Sequence, residues 1–174
     1  MSSEETEGSP PAGSPPALSS EEFRRACGRF ATGVTIASVM DLAGTPHGLT
    51  VSSFASLSLH PPLVLICLGH QVTAIESFRA ATHFGISVLS EAQRDLAERF
   101  ARKGPDRFNG VKWHRGRSGV PLLDGVLAAM ECKLHQRFTS GDHDIVVGQM
   151  LRTHVTEGAP LVHYASRYRK LAGE

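Results

Sequence analysis

Apolar positions change their spacing several times along the chain, and each change predicts an element. Ser19 followed by Glu22 makes a capping box, and Phe23, Ala26, Cys27 and Phe30 fall on one face of the helix it starts. That helix should pack on a sheet and end before Gly33. Val34 to Val39 is β-branched and predicts a strand, and Asp41 to Pro46, with Gly44, predicts a turn returning the chain into a segment that starts at Gly48. Leu63 to Leu68 is a continuous apolar run, the pattern of a strand buried on both faces. Thr73 to Ala81 predicts a short helix with Ile75 and Phe78 inward, and Phe84 to Leu89 another strand. Ser90 and Gln93 form a second capping box, for a helix running through Leu96, Phe100 and Ala101.

Gly104 to Gly119 is loop-like, a candidate lid or edge, and holds the only tryptophan, Trp113. Val126 to Phe138 and His143 to Thr156 predict two long strands, joined at Ser140, Gly141 and Asp142 by a turn whose glycine permits positive φ. A short strand at Leu161 to Tyr164 precedes a basic tail, Arg167 to Lys170. Many strands with two or three peripheral helices, and no regular strand-helix alternation, predict a mostly β fold closed as an antiparallel barrel.

Composition narrows the picture. A chain of 174 residues suits one core, and 41% hydrophobic with 20% charged residues is ordinary for a globular protein. No apolar run is long enough to span a membrane as a helix. A net charge of +1 with 6% aromatics leaves no basic stripe or stacking platform for nucleic acid. Cys27, Cys67 and Cys132 sit far apart in apolar contexts, as buried thiols do, which fits a cytoplasmic protein. Residues 1–18 hold four of the ten prolines and no basic residue, so they read as a disordered tail without a signal peptide, ahead of one domain over residues 19–174.

The stretch from Gly48 to Val64, GLTVSSFASLSLHPPLV, interleaves Ser52, Ser53, Ser56 and Ser58 with apolar residues and stops at Pro61 and Pro62. Small hydroxyl residues on a curved backbone offer O–H and N–H donors to a carbonyl-rich or anionic ligand. Such segments also serve as loops that hydrogen-bond to themselves, so composition alone leaves both open. The nine histidines show no H-E-x-x-H spacing and no third close ligand, which argues against a metal centre. There is no G-x-S-x-G elbow, no G-x-G-x-x-G and no P-loop, so a nicotinamide cofactor, if used, must bind without a Rossmann unit.

FATGVTI at Phe30 to Ile36, the Gly48 to Val64 stretch, FGISVLSEAQRDLAERFA at Phe84 to Ala101 and GDHDIVVG at Gly141 to Gly148 occur in one order. Together they resemble the flavin reductase family, the small reductase partners of two-component flavin monooxygenases, over roughly Phe23 to Leu171. The resemblance implies an FMN-binding split β-barrel, a homodimer with FMN or FAD near the subunit interface, reduced by NADH or NADPH. It matches Thr50, Val51, Ser52 and Ser53 to the segment that meets the isoalloxazine and ribityl chain, and Ser56 and Leu57 to the turn nearer the phosphate. Val34 falls beside the flavin in the same comparison, and Ser87 and Phe100 close the site, with Ser87 where the family often has Asn. His143 matches the histidine against the nicotinamide, and Arg167 and Tyr168 a C-terminal motif in which Ser166 replaces the usual Gly.

The function implied is an NAD(P)H:flavin oxidoreductase that passes a hydride from nicotinamide C4 to flavin N5 and supplies a separate monooxygenase. A non-enzymatic FMN-binding electron carrier of the same fold is the rival. A flavin oxidase acting on a phosphorylated vitamin would need a basic phosphate-binding set that the sequence does not offer.

Overall fold

The computed structural model describes residues 18–104 and 106–171. The expected disordered tail lies outside the described residues, apart from Leu18 at its end. Three helices and twelve strands follow in the order α1 (Ser20–Cys27), β1 (Thr32–Gly33), β2 (Thr35–Met40), β3 (Pro46–Val51), β4 (Ala55–Ser58), β5 (Leu63–Gly69), α2 (Ile75–Ala80) and β6 (His83–Val88). Next come a single 3-10 turn at Glu91–Gln93, α3 (Arg94–Ala101), β7 (Trp113–Arg115), β8 (Pro121–Leu123), β9 (Ala128–Ser140), β10 (His143–Val155), β11 (Val162–Tyr164) and β12 (Arg167–Arg169). No helix among the described residues is long and apolar enough to cross a membrane.

Seven strands form one sheet in the order β3-β2-β6-β9-β10-β5-β4, and every pairing in it is antiparallel. The sheet curls until β3 comes back against β5. Inside the curl, Val39, Leu49, Ile66, Leu68, Phe84 and Val146 pack together, and α2 plugs the end with Ile75 and Phe78. A second cluster, on the outer side of β2 and β6, joins Ile36, Leu89, Phe100, Phe108, Leu123 and Leu161. Phe108 meets Phe100 edge-on at 4.9 Å and Trp113 at 5.7 Å between ring centroids. Gly85 lets β8 lie over β6, since a Cβ there would sit 2.7 Å from the Pro121 carbonyl oxygen.

Both capping boxes form. Ser19 Oγ accepts from the Glu22 N–H at 3.2 Å while Glu22 accepts from the Ser19 N–H at 3.0 Å, and Ser90 and Gln93 repeat the arrangement. The β9–β10 ribbon has 13 residues in each strand, roughly 40 Å of hairpin, and turns at Gly141 with φ 60°.

Several expectations need correction. Helix α1 buries none of its residues, and Phe23 and, just beyond it, Phe30 are 57% and 77% exposed; the Gly28 carbonyl at its end accepts from the Ala165 N–H of the C-terminal hairpin at 2.9 Å. Cys27 on that helix is exposed, whereas Cys132 is buried and its thiol is pushed up to about 12 by burial. Strand β5 is buried on one face only. Val64, Ile66 and Leu68 point into the curl, and the alternate residues are half-buried on the outer face. The 104–119 segment is not all loop, for β7 pairs with β8. The basic tail is strand β12, paired with β11 through a turn at Ala165 (φ 49°) and Ser166 (φ 60°).

That two-residue turn has the left-handed geometry that suits tight hairpins but favours Gly or Asn over Ala and Ser. Ser166→Gly is therefore expected to stabilise the fold by about 1 kcal/mol, read as a raised urea midpoint at unchanged slope. A lowered midpoint would refute the assignment of strain to this turn.

Candidate functional site

Strand β3 runs into the loop at Ser52 and Ser53, and the loop lies against the far end of β5. The two surround a cleft of about 280 Å³ lined by Leu49, Thr50, Val51, Ser52, Ser53, Cys67, Gly69, Val72 and His143. The register of β10 on β5 puts His143 opposite Gly69. A Cβ on Gly69 would lie 3.4 Å from His143 Nε2, an ordinary contact distance, so the imidazole rests directly over the β5 backbone at the cleft's lip. His143 Nδ1 is 2.7 Å from Asp142 Oδ1, which leaves Nε2 toward Gly69, and the same contact lowers the Asp142 carboxyl below its ordinary range.

The lip is held from beneath by Asp144, whose side chain is 1% exposed. Its carboxylate accepts from Arg79 Nε at 3.0 Å and from Thr139 Oγ at 2.9 Å, and pairs with His70 Nε2 at 2.9 Å. One carboxylate thus ties α2, the end of β9 and the residue after β5 to the start of β10. The His70 N–H adds a backbone bond to the Asp142 carbonyl at 2.9 Å. The Arg79 guanidinium, with Thr139 and His70, outweighs burial and brings the Asp144 carboxyl down to about 2.

Hydroxyl groups in the cradle divide into two kinds. Ser53 Oγ accepts from the Cys67 N–H at 2.9 Å and donates to the Cys67 carbonyl at 3.2 Å, clipping the loop to β5. Thr50 Oγ donates to the Ala97 carbonyl at 2.6 Å, fixing β3 to α3. Ser52 and Ser56 are exposed, and among the described residues their side chains make no internal hydrogen bond. Ser52 therefore stands at the cleft with an uncommitted hydroxyl, while Ser56 and Leu57 lie on the exposed edge strand β4.

The other residues singled out from sequence stand behind the cleft or away from it. Val34 is 1% exposed and Phe100 fully buried in the second cluster. Phe100 acts on β3 from behind: a Cβ on Gly48 would be 2.9 Å from its ring. Ser87 is 1% exposed and its Oγ accepts from the Leu123 N–H at 3.1 Å, so it anchors β8. Arg167 and Tyr168 are on β12, where Tyr168 packs edge-on to His163 at 5.7 Å and under Arg94 at 5.6 Å. Cys67, Gly69 and Val72 line the cleft without having been singled out. Only the cross-strand register brings them there, and no local pattern carries it.

The residues present suit a flavin. The cleft offers a backbone edge at Thr50 to Ser53, a free hydroxyl at Ser52 and a flat patch at Gly69. Thr32 Oγ is buried with no partner, three residues before Thr35, which pairs with Val51 at the cleft. The volume is at the low end for a small-molecule site and takes a ring system rather than a whole dinucleotide. No group of three His, Cys, Asp or Glu side chains among the described residues is placed to hold a metal ion.

Comparison with known proteins agrees on one family. The family model described as "Flavin reductase like domain" matches residues 27–172. The "Actinorhodin polyketide dimerase" of Streptomyces coelicolor is 42% identical over 86% of this chain and 85% of its own length. "FMN reductase (NADH) SmoA" of Agrobacterium fabrum is 44% identical over 82% of this chain and 80% of its own. Two Rhizobium meliloti relatives, 46% and 43% identical, are longer, and the chain spans 41% and 56% of their lengths. Among solved structures, the NADH:FAD oxidoreductase SgcE6 of Streptomyces globisporus, in complex with NAD and FAD fragments, superposes with a TM-score of 0.83 at 36% identity. It covers 87% of this chain and 92% of its own.

Asp144 generates a pH prediction. Its folded value lies below the ordinary carboxylate value of about 4, so its stabilising effect is present above about pH 4 and is lost as pH falls through about 2. Asp144→Asn is expected to cost about 1–3 kcal/mol at neutral pH, since charge-assisted bonds to Arg79 and Thr139 are weakened. It should also flatten the fall of the urea midpoint between about pH 4 and about pH 2. An equally steep fall in both proteins would exclude Asp144 as its source.

Proposed function

The chain belongs to the flavin reductase like domain family, and from that premise we propose how its cleft works as an NAD(P)H:flavin oxidoreductase. The protein reduces flavin with NADH or NADPH and supplies the reduced flavin to a separate monooxygenase. Relatives named as an NADH-dependent FMN reductase, an NADH-dependent FAD reductase and the reductase component of a flavin-dependent trigonelline monooxygenase support this activity. The observation that carries it in this chain is the His143 ring resting on Gly69 at the lip of the Thr50 to Ser53 cleft.

Flavin, FMN or FAD, supplies when bound an acceptor for the hydride that leaves the nicotinamide. Everything else falls to positioning by the chain's own residues. The backbone of Thr50, Val51, Ser52 and Ser53 holds the ring edge, and the free Ser52 hydroxyl adds a donor. Ser53 and Thr50 keep that backbone in place through Cys67 and Ala97 rather than by touching the ligand. Ser56 and Leu57, on the open edge strand β4, would hold the phosphate end of the flavin. His143, oriented through Nδ1 by Asp142, presents Nε2 to the nicotinamide and exchanges no proton in the hydride step. Val34, Ser87 and Phe100 support the walls from behind, and Arg167 with Tyr168 forms the outer C-terminal hairpin.

A second copy of the chain completes the site. The cleft alone is too small for a ribityl phosphate as well as the ring, and α1, β4 and the outer face of β5 leave apolar side chains uncovered, among them Phe23, Phe30 and Leu57. A homodimer is accordingly expected by light scattering at micromolar concentration, and a monomer with and without flavin would count against it. The protein acts in the cytoplasm, where NADH is supplied.

His143→Ala is expected to leave flavin affinity within a few-fold and to lower kcat/KM for NADH by about tenfold to a hundredfold, roughly 1.4–2.7 kcal/mol of lost positioning. Stopped-flow reduction of flavin by NADH checks it. Equal rates in wild type and variant would remove His143 from the site. A carrier protein would show no turnover of NADH with added FMN or FAD in either form.

A further inference from the structure

A second cavity, of about 630 Å³, lies between the β7–β8 hairpin and the far half of the β9–β10 ribbon. It shares no lining residue with the His143 cleft. Its floor is apolar, built by Leu122, Leu123, Val126 and Ala129. Arg115, Arg117 and Arg152 stand around it, with His114 and His154, against two carboxylates, Asp124 and Glu131.

Both carboxylates are already engaged. Asp124 Oδ1 is 2.7 Å from His114 Nδ1. Glu131, 6% exposed, accepts from the N–H and the Oγ–H of Ser118, each at 2.5 Å. Burial works against its charge, but those bonds, the Arg117 backbone and the nearby Arg152 hold its carboxyl below the ordinary range. The three guanidinium groups, by contrast, have no carboxylate within 4.0 Å among the described residues and make no side-chain hydrogen bond there. Nor is the wall loose. Gly116 sits on Glu131 so closely that a Cβ would lie 2.8 Å from the carboxyl carbon, and the loop is closed by Gly116 N–H to the Val120 carbonyl at 2.9 Å.

Unpaired guanidinium forks favour phosphate or carboxylate, and an aliphatic lining favours an apolar ring. We propose that this cavity binds a small organic anion with a planar apolar body and one phosphate or carboxylate, of the size of a nucleoside monophosphate or an aromatic acid. The arginines take the charged end, and Leu122, Leu123 and Val126 take the ring. Such a site lies apart from the hydride-transfer cleft, so its occupant binds alongside flavin.

Trp113, the only tryptophan in the chain, is on β7 next to His114 and reports the cavity by fluorescence. The full-length protein, saturated with FMN, is titrated with 5′-AMP, with 4-hydroxybenzoate and with inorganic phosphate, followed by calorimetry and by Trp113 emission. One of the two organic anions is expected to bind at sub-millimolar concentration, at least tenfold more tightly than inorganic phosphate, and which one binds separates a nucleotide from an aromatic acid. The double variant Arg115→Gln, Arg152→Gln should weaken that binding at least tenfold, and Arg117→Gln alone several-fold, with NADH:flavin turnover retained as the check that both fold. No binding of either organic anion at millimolar concentration would overturn the proposal. So would binding no tighter than phosphate, binding indifferent to the arginine variants, or displacement of the probe by added FMN.

Discussion

A carboxylate that water hardly reaches must be satisfied by the chain itself, and Asp144 is that carboxylate here. Its three partners come from a helix, a strand end and the residue after another strand, so they can meet only if β5, β9 and β10 are in one particular register. The same register sets His143 over Gly69. A slip of one residue along β10 would turn His143 to the opposite face and put Asp144 into water. The polar cost of burying Asp144 therefore fixes the geometry of the cleft's lip, one residue away.

The cradle follows a related logic. A flexible serine-rich loop would be a poor floor for a ring, since ordering it on binding costs entropy. Ser53 and Thr50 remove that cost in advance by holding the backbone to Cys67 and Ala97. Of the serines at the cleft, Ser52 alone keeps an open hydroxyl, so most of the recognition available at Thr50 to Ser53 comes from backbone groups in a fixed path. Phe100 contributes at one remove, filling the space behind Gly48 and keeping β3 from retreating.

Sequence carried what is local. Both capping boxes, the Gly44 and Gly141 turns and the two long strands depend on residues a few positions apart. The hairpin of β11 and β12 was hidden because Ala165 and Ser166 occupy positive φ without the glycine that would announce it. The pairing of β7 with β8 was hidden by Pro121, which reads as loop but sits on a two-stranded edge. The hydroxyls of Ser53 and Ser87 could not be assigned to ligand or to backbone from composition, since their partners, Cys67 and Leu123, are distant in sequence. Resemblance to a family supplied the chemistry of the cleft, and it gave no hint of the arginine-rimmed cavity, which exists only once β7 to β10 are folded against each other.

The uncovered apolar residues around α1 and on β5 bear on assembly and on the cleft. A helix with a formed capping box and no buried residue gains little from packing against the described residues, and eight residues are too few for stable helix in isolation. Something must cover Phe23 and Phe30 for α1 to persist, and the outer face of β5, with Leu63, Leu65 and Cys67 half-buried, needs cover as well. Cys67 is also a wall of the cleft, so whatever lies on that outer face borders the proposed flavin site. The proposed second copy of the chain would meet both needs at once. It would bury the apolar face and leave space beyond Ser56 and Leu57 for a ribityl phosphate, tying assembly to cofactor binding through a single strand.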